Sequence, residues 1–592
     1  MSRARNLPAL KRESGRPGPA ALAQWLSRRG AMGASAFVLY VALSLLYFGL
    51  RLLIEPGRQY VGVFADPQIP IWSFAWWAHA LVHGQNPFVT HLVWAPSGVD
   101  LAWVNTVPAF AVALSPLTLL AGAVVSYNLA AMLLPALSAW AAFLLCRHLT
   151  QRFWPSFLGG YLYGFSSYVL GHVVGQPQLT AVVVMPLLAL VVLRALEGEL
   201  GARRRAVWIG VLVALQVYLS MELAFTLTLA LAGALLLGYL IAPARRPRLG
   251  SLLRPLLGGY VLAAVLAAPM LYYALTAVRV AGYQPPGDYV ADLANVVVPT
   301  NLELLGAGWA GSASEHFPGN YSEQGSFLGA PLLLIVALYA WRHWRTPAGR
   351  VLLAGAAVAT YFSLGPELTV YGHRVSPLPT PFGHNTLDIP GIGSKYIPFF
   401  DNTLPARFSL YASLAVCVMA ALWLSARPAR DPLGWALVAL AVVLLVPNPD
   451  AGVWATSYAI PPFFTDSAYR GCLAPGEIVL PQPVAGQFML WQVADQFRFR
   501  MAGGRLQTSP PSVFLHPGSI AQISVGYPPV SNQSQLLEAY FAREDVTAVI
   551  LDRRQESIWG PSLDRIARPR EVGGILLYRL GGPVRACPAP GR

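Results

Sequence analysis

The stretch GVFADPQIPIWSFAWWAHALVHGQNPF, residues 62–88, carries the residues best suited to chemistry: one carboxylate, Asp66, and two imidazoles, His79 and His83. A carboxylate within hydrogen-bond reach of a hydroxyl takes its proton as that hydroxyl attacks an electrophile. Asp followed by Pro67 is also a helix-start signal, because the carboxylate can cap free backbone N–H groups and proline suits the first helical position. The residues alone leave base and cap both open. The HxxxH spacing of His79 and His83 could hold a metal, but no third ligand accompanies it.

What must position these residues is a membrane bundle. The chain has 592 residues, 55% apolar and 11% charged, against roughly 25% charged in an ordinary soluble domain. Apolar runs lie at about 34–54, 124–146, 154–173, 178–196, 206–219, 222–242, 255–277, 326–341, 350–364, 408–425 and 432–447. They predict about eleven transmembrane helices. The net charge of +14 lies mainly in MSRARNLPALKRESGR, RHLTQR, EGELGARRR, PARRPRLGSLLR, RHWRTPAGR and ARPARD, between those runs. That is the positive-inside pattern of a membrane protein rather than a nucleic-acid surface, and no nucleic-acid partner is expected. A basic tail, 1–33, is then cytoplasmic, and loops 55–106, 279–325 and 365–407 are external. The stretch TVPAFAVALSPLTLLAG, broken by Pro108 and Pro116, reads as an interfacial or re-entrant element. The stripe Trp72, Trp76, His79 and His83 suits a helix lying in the outer interface.

Residues 448–592 lack such runs and read as an extracytoplasmic α/β domain that binds or covers rather than holds the chemistry. IVLPQPV, TAVILDR and GGILLYRL read as strands and SQLLEAYFARED as a helix. Cys472 and Cys587, near the ends of this domain, are candidates for a disulfide, whereas Cys146 and Cys417 fall in or beside spans and read as buried structural thiols. The chain shows no internal repeat.

The layout of residues 34–447, a first span followed by a large external loop with an acid near its start, resembles the GT-C class of membrane glycosyltransferases. The runs DPQIPIWSFAWWAHALVHGQNPF, APSG, SYNL, YGFSSY and LPARF look like an uncharacterised bacterial GT-C-like group. The resemblance implies a GT-C bundle moving a sugar from a polyprenyl-phosphate donor to a lipid, glycan or protein acceptor, with inversion and with Asp66 as the catalytic carboxylate. Better-known branches often pair two acids where this chain has Asp66 and Pro67. A donor phosphate needs cationic partners, for which Lys395, Arg407 and Arg279 are the external candidates. His79, His83, His172, Gln176, Gln178 and Glu222 could face the same cavity, while Asp100, Asp288 and Asp292 suit solvated or capping roles. No cofactor is firmly implied, and a divalent metal is compatible with the layout. A transporter or flippase of a lipid-linked envelope precursor would use the same cavity without a base, and a non-catalytic scaffold on the same fold would present the C-terminal domain.

Overall fold

A computed structural model describes residues 19–63, 66–276, 286–378, 380, 403–482, 488–506, 532–581 and 587. Helices lie over all eleven apolar runs. Five stretches are long and apolar enough to cross a membrane: Gly30–Gly49, Ala123–Thr150, Pro177–Leu196, Met221–Ile241 and Pro405–Ser425. A bent pair, Pro243–Gly250 with Leu253–Leu266, would make six. The count of eleven crossings is not carried by helix length. Gly329–His343 has 15 residues and Pro347–Ser363 has 17, or about 22 and 26 Å of rise against roughly 30 Å of hydrocarbon.

Composition and exposure together mark a membrane protein. On Leu253–Leu266, residues Leu253, Leu257, Val261 and Val265 repeat every fourth position and are all exposed. Such a stripe is costly in water and suited to acyl chains. The helices begin where local chemistry permits: the Ser220 hydroxyl accepts from Leu223 N at 3.3 Å to open Met221–Ile241, and Thr346 accepts from Gly349 N at 3.1 Å to open Pro347–Ser363. The segment expected to be interfacial or re-entrant forms two short helices, Pro108–Ala113 and Ser115–Ala121, packed against Gln68–Val82.

The C-terminal region contains a five-stranded mixed sheet in the order Pro569–Val572, Ile575–Arg579, Ala548–Asp552, Ile478–Gln482, Arg500–Met501. The last three strands run parallel to one another. Helix Gln533–Arg543 precedes Ala548–Asp552, as its spacing predicts. Cys472 and Cys587 form a disulfide with Cα atoms 4.4 Å apart, while Cys146 and Cys417 are free and buried.

This region is tied to the first loop at two places. Gln59–Tyr60 pairs antiparallel with Thr456–Ser457. Residues 92–95 lie along residues 501–503, with Met501 N donating to Leu92 O at 2.8 Å, Ala95 N to Met501 O at 2.9 Å and Trp94 N to Gly503 O at 3.0 Å. Asp292, expected in a solvated or capping role, is buried, and its Oδ1 accepts from Ala294 N at 2.8 Å at the start of the turn Ala294–Val296. It joins the second and third loops by accepting from Tyr371 N at 2.8 Å and Gly372 N at 2.7 Å.

Candidate active site at the first loop

Residues of the SYNL run hold the chain just before Asp66. The Tyr127 hydroxyl donates to Val61 O at 2.8 Å, Asn128 Nδ2 donates to Gln59 O at 2.8 Å, and Asn128 Oδ1 accepts from Val61 N at 3.2 Å. Gly175 abuts Asp66 from the other side. Its φ is +150°, and an added Cβ would lie 3.1 Å from the Asp66 Cβ, so a side chain there would both strain the backbone and crowd the carboxylate.

Asp66 does not cap the helix that follows it. Helix Gln68–Val82 begins with Pro67 in the cap position, and no side chain caps it. The Asp66 backbone carbonyl accepts from Ile69 N at 3.3 Å, while its carboxylate is turned to a cation. Its Oδ1 lies instead 3.5 Å from a terminal nitrogen of Arg505, and its side chain keeps 32% of its exposure. Arg505 was not among the expected site residues. It belongs to the C-terminal region and follows the seam along residues 92–95.

The aromatic and histidine stripe also has a different role from the one expected. Trp72 and Trp76 are buried against protein. Trp72 Nε1 donates to Gln492 Oε1 at 2.7 Å, while Gln492 Nε2 donates to Leu92 O at 2.8 Å and Phe499 O at 3.0 Å. Phe497 meets the Trp72, Trp76 and His79 rings edge-on. Apolar aromatic bodies with a polar edge suit a protein seam as well as a lipid interface.

His79 and His83 stack at 4.1 Å, toward the far end of the helix, about 17 and 22 Å along its axis from its Gln68 start. They do not line a common site with Asp66. Burial, and then the neighbouring His83, hold His79 below its ordinary range. Among the described residues one trio is close enough to hold an ion: His148, Glu197 and Glu199. It includes neither Asp66 nor the histidine pair.

Arg407, expected to receive a donor phosphate, is already engaged. It pairs with Glu222 and with Glu323, whose Oε1 accepts from a terminal nitrogen at 2.7 Å and from Nε at 3.1 Å. Two carboxylates already occupy the guanidinium and leave an anion little access to it. Burial raises the Glu323 pKa, but Arg407, then His172, draw it down, for a net lowering. Glu323 was missed by sequence reasoning because nothing in YSEQGSF marks it. Tyr168 and His172 stack at 4.1 Å beside this cluster, with His172 Nδ1 paired to Tyr168 O at 2.7 Å. Gln176 is buried one residue beyond Gly175, and Gln178 is buried in the same turn. The structure therefore brings His172, Glu222 and Arg407 together in one cluster, while Asp66 with Arg505 forms another at Gly175. Asp100 accepts from Ala102 N at 2.8 Å, and Asp288 lies 3.4 Å from Arg374. Lys395 and Arg279 lie outside the described residues.

Residues 37–389 match a family described as a domain of unknown function, DUF6311. The chain belongs to this family. Asp66, Glu222 and Glu323 lie within the matched part of this DUF6311 protein, and Arg407 and Arg505 lie beyond it. No curated protein is significantly similar to it. Among solved structures, the apo oligosaccharyltransferase of Archaeoglobus fulgidus aligns at a TM-score of 0.50 and 14% identity, covering 88% of this chain and 70% of that one. The same enzyme with zinc and sulfate aligns at 0.50 and 11%, covering 88% and 68%. The arabinofuranosyltransferase AftD from Mycobacteria aligns at 0.50 and 13%, covering 93% of this chain and 41% of that one. At such identities the likeness shows a shared fold alone.

Proposed function

We propose that this protein transfers a sugar from a polyprenyl-phosphate donor to an acceptor hydroxyl at the outer face of a membrane, with Asp66 as general base. The observation that carries this reading is the position of Asp66. It is a partly exposed carboxylate on the first loop of a GT-C fold, free of helix capping and held beside a cation. In the reaction the acceptor oxygen attacks the anomeric carbon, the bond from that carbon to the phosphate oxygen breaks, and Asp66 takes the acceptor proton. The electron pair of the broken bond leaves on the lipid phosphate. A base on the face opposite the leaving group gives inversion.

Transport of a lipid-linked precursor would call for polar residues near the middle of the spans. The buried cluster does not lie there: Glu222 stands at the start of Met221–Ile241 and Arg407 just before Ser409–Ser425. The test is incubation of the purified full chain with labelled polyprenyl-phosphate sugars and an envelope lipid and glycan extract. The label should pass to a new product. Purified protein that moves donor lipid between leaflets of a vesicle without releasing sugar from it would contradict the proposal.

A further inference from the structure

The C-terminal region reads from its sequence as a cover, yet it supplies the cation beside Asp66. We propose that Arg505 binds the phosphate of the donor and of the departing lipid, so that the C-terminal region is a working part of the active site. This rests on the sugar-transfer reading above.

Three observations carry it. The first is reach. A terminal nitrogen of Arg505 stands 3.5 Å from Asp66 Oδ1, and the side chain is 43% exposed. A guanidinium has five N–H donors in a planar fork, and one long contact to a carboxylate leaves most of the fork open.

The second is how firmly it is delivered. Backbone hydrogen bonds join residues 92–95 to 501–503, immediately before Arg505. At Gly504 an added Cβ would lie 2.1 Å from Val93 Cγ1, so glycine lets the two chains meet closely. Buried Gln492 locks the same seam, through Trp72 on one side and the Leu92 and Phe499 carbonyls on the other. The seam and the helix Gln68–Val82 thus position Asp66 and Arg505 as one unit.

The third is charge. The donor phosphodiester carries one negative charge. Once the anomeric C–O bond breaks and Asp66 has taken the acceptor proton, the lipid phosphate carries two and Asp66 none. Negative charge therefore moves from the group that Arg505 already neutralises to a neighbouring oxygen. A cation placed to follow it stabilises the transition state more than the ground state. Arg407 does not serve, because Glu222 and Glu323 already surround it.

The experiment uses full-length protein in lipid nanodiscs and two probes: polyprenyl phosphate without sugar, for binding, and a polyprenyl-phosphate sugar, for transfer. Arg505→Gln should weaken binding of polyprenyl phosphate by about 10-fold or more and lower kcat/KM by about 10²-fold, with the melting temperature near wild type. Arg505→Lys should recover part of both. Wild-type affinity for polyprenyl phosphate in Arg505→Gln, or no affinity in the wild type, overturns the proposal. Binding without turnover separates the two claims. If wild type binds the lipid and Arg505→Gln does not, while Asp66→Asn transfers at the wild-type rate, the phosphate site stands and the base assignment fails.

Discussion

Two acid–arginine clusters join distant parts of this chain, and they differ in how completely they are closed. Around Arg407 two carboxylates and several nitrogens are locked together, with Glu323 almost wholly buried. Around Arg505, among the described residues, a single contact of 3.5 Å links two side chains that both keep substantial exposure. A closed buried pair holds structure, because removing either member strands the other charge in a poor solvent. An open pair contributes little to stability and leaves both groups available to a third. The contrast supports the proposal that Arg407 holds the fold while Asp66 with Arg505 serves the chemistry.

Breaking the closed cluster should have the largest effect on stability. Arg407→Gln leaves Glu222 and Glu323 facing one another, and a cost of about 3–5 kcal/mol is expected, read as a large fall in melting temperature and yield. The matching loss on Arg505→Gln should be within about 1 kcal/mol. Equal destabilisation by the two would erase the distinction.

Next in size is the disulfide. Cys472 and Cys587 close a loop with a sequence separation of 115. Replacing both by Ser should lower the stability of the C-terminal region by about 2–4 kcal/mol. Because that region carries Arg505, transfer should become more heat-sensitive in the double variant, which differential scanning and activity after heating would show.

A pH-dependent effect concerns Asp495, which supports the Gln492 seam. Its Oδ1 accepts from Phe499 N at 3.3 Å and from Arg498 N. Burial pushes its carboxyl up to about 7 from the ordinary 3.8, against those two donors. A raised folded pKa makes the stabilising contribution complete below the unfolded value and lost as pH rises through the folded one. Stability of the C-terminal region should therefore decline from about pH 4 to about pH 7. Asp495→Asn should flatten that decline in denaturant titrations at several pH values, and an unchanged slope would remove the burial explanation.

Local pattern made the helices and the C-terminal strands legible, since apolar runs and short β-branched segments each bury a face regardless of partner. Asp66 was legible by its place after the first span. Its surroundings were not, because Arg505 and Glu323 belong to no periodic pattern and meet their partners only through the tertiary fold. The Asp-Pro signal marks the start of helix Gln68–Val82, with Asp66 O accepting from Ile69 N, but it does not reveal that the carboxylate meets Arg505. The stripe of Trp72, Trp76 and His79 misled because an aromatic face reads alike whether lipid or Phe497 covers it. Arg407 looked like a free cation because acidic partners from two other segments cannot be seen from LPARF alone.

The most direct test of the central claim compares Asp66→Asn with wild type for sugar transfer from a polyprenyl-phosphate donor, with melting temperature measured on the same samples. Asn keeps the shape and the hydrogen-bonding oxygen but cannot take a proton as a carboxylate does. A fall of about 10²-fold to 10⁴-fold in rate at unchanged stability is predicted. Wild-type turnover by Asp66→Asn would show that the carboxylate only pairs with Arg505 and would contradict the account.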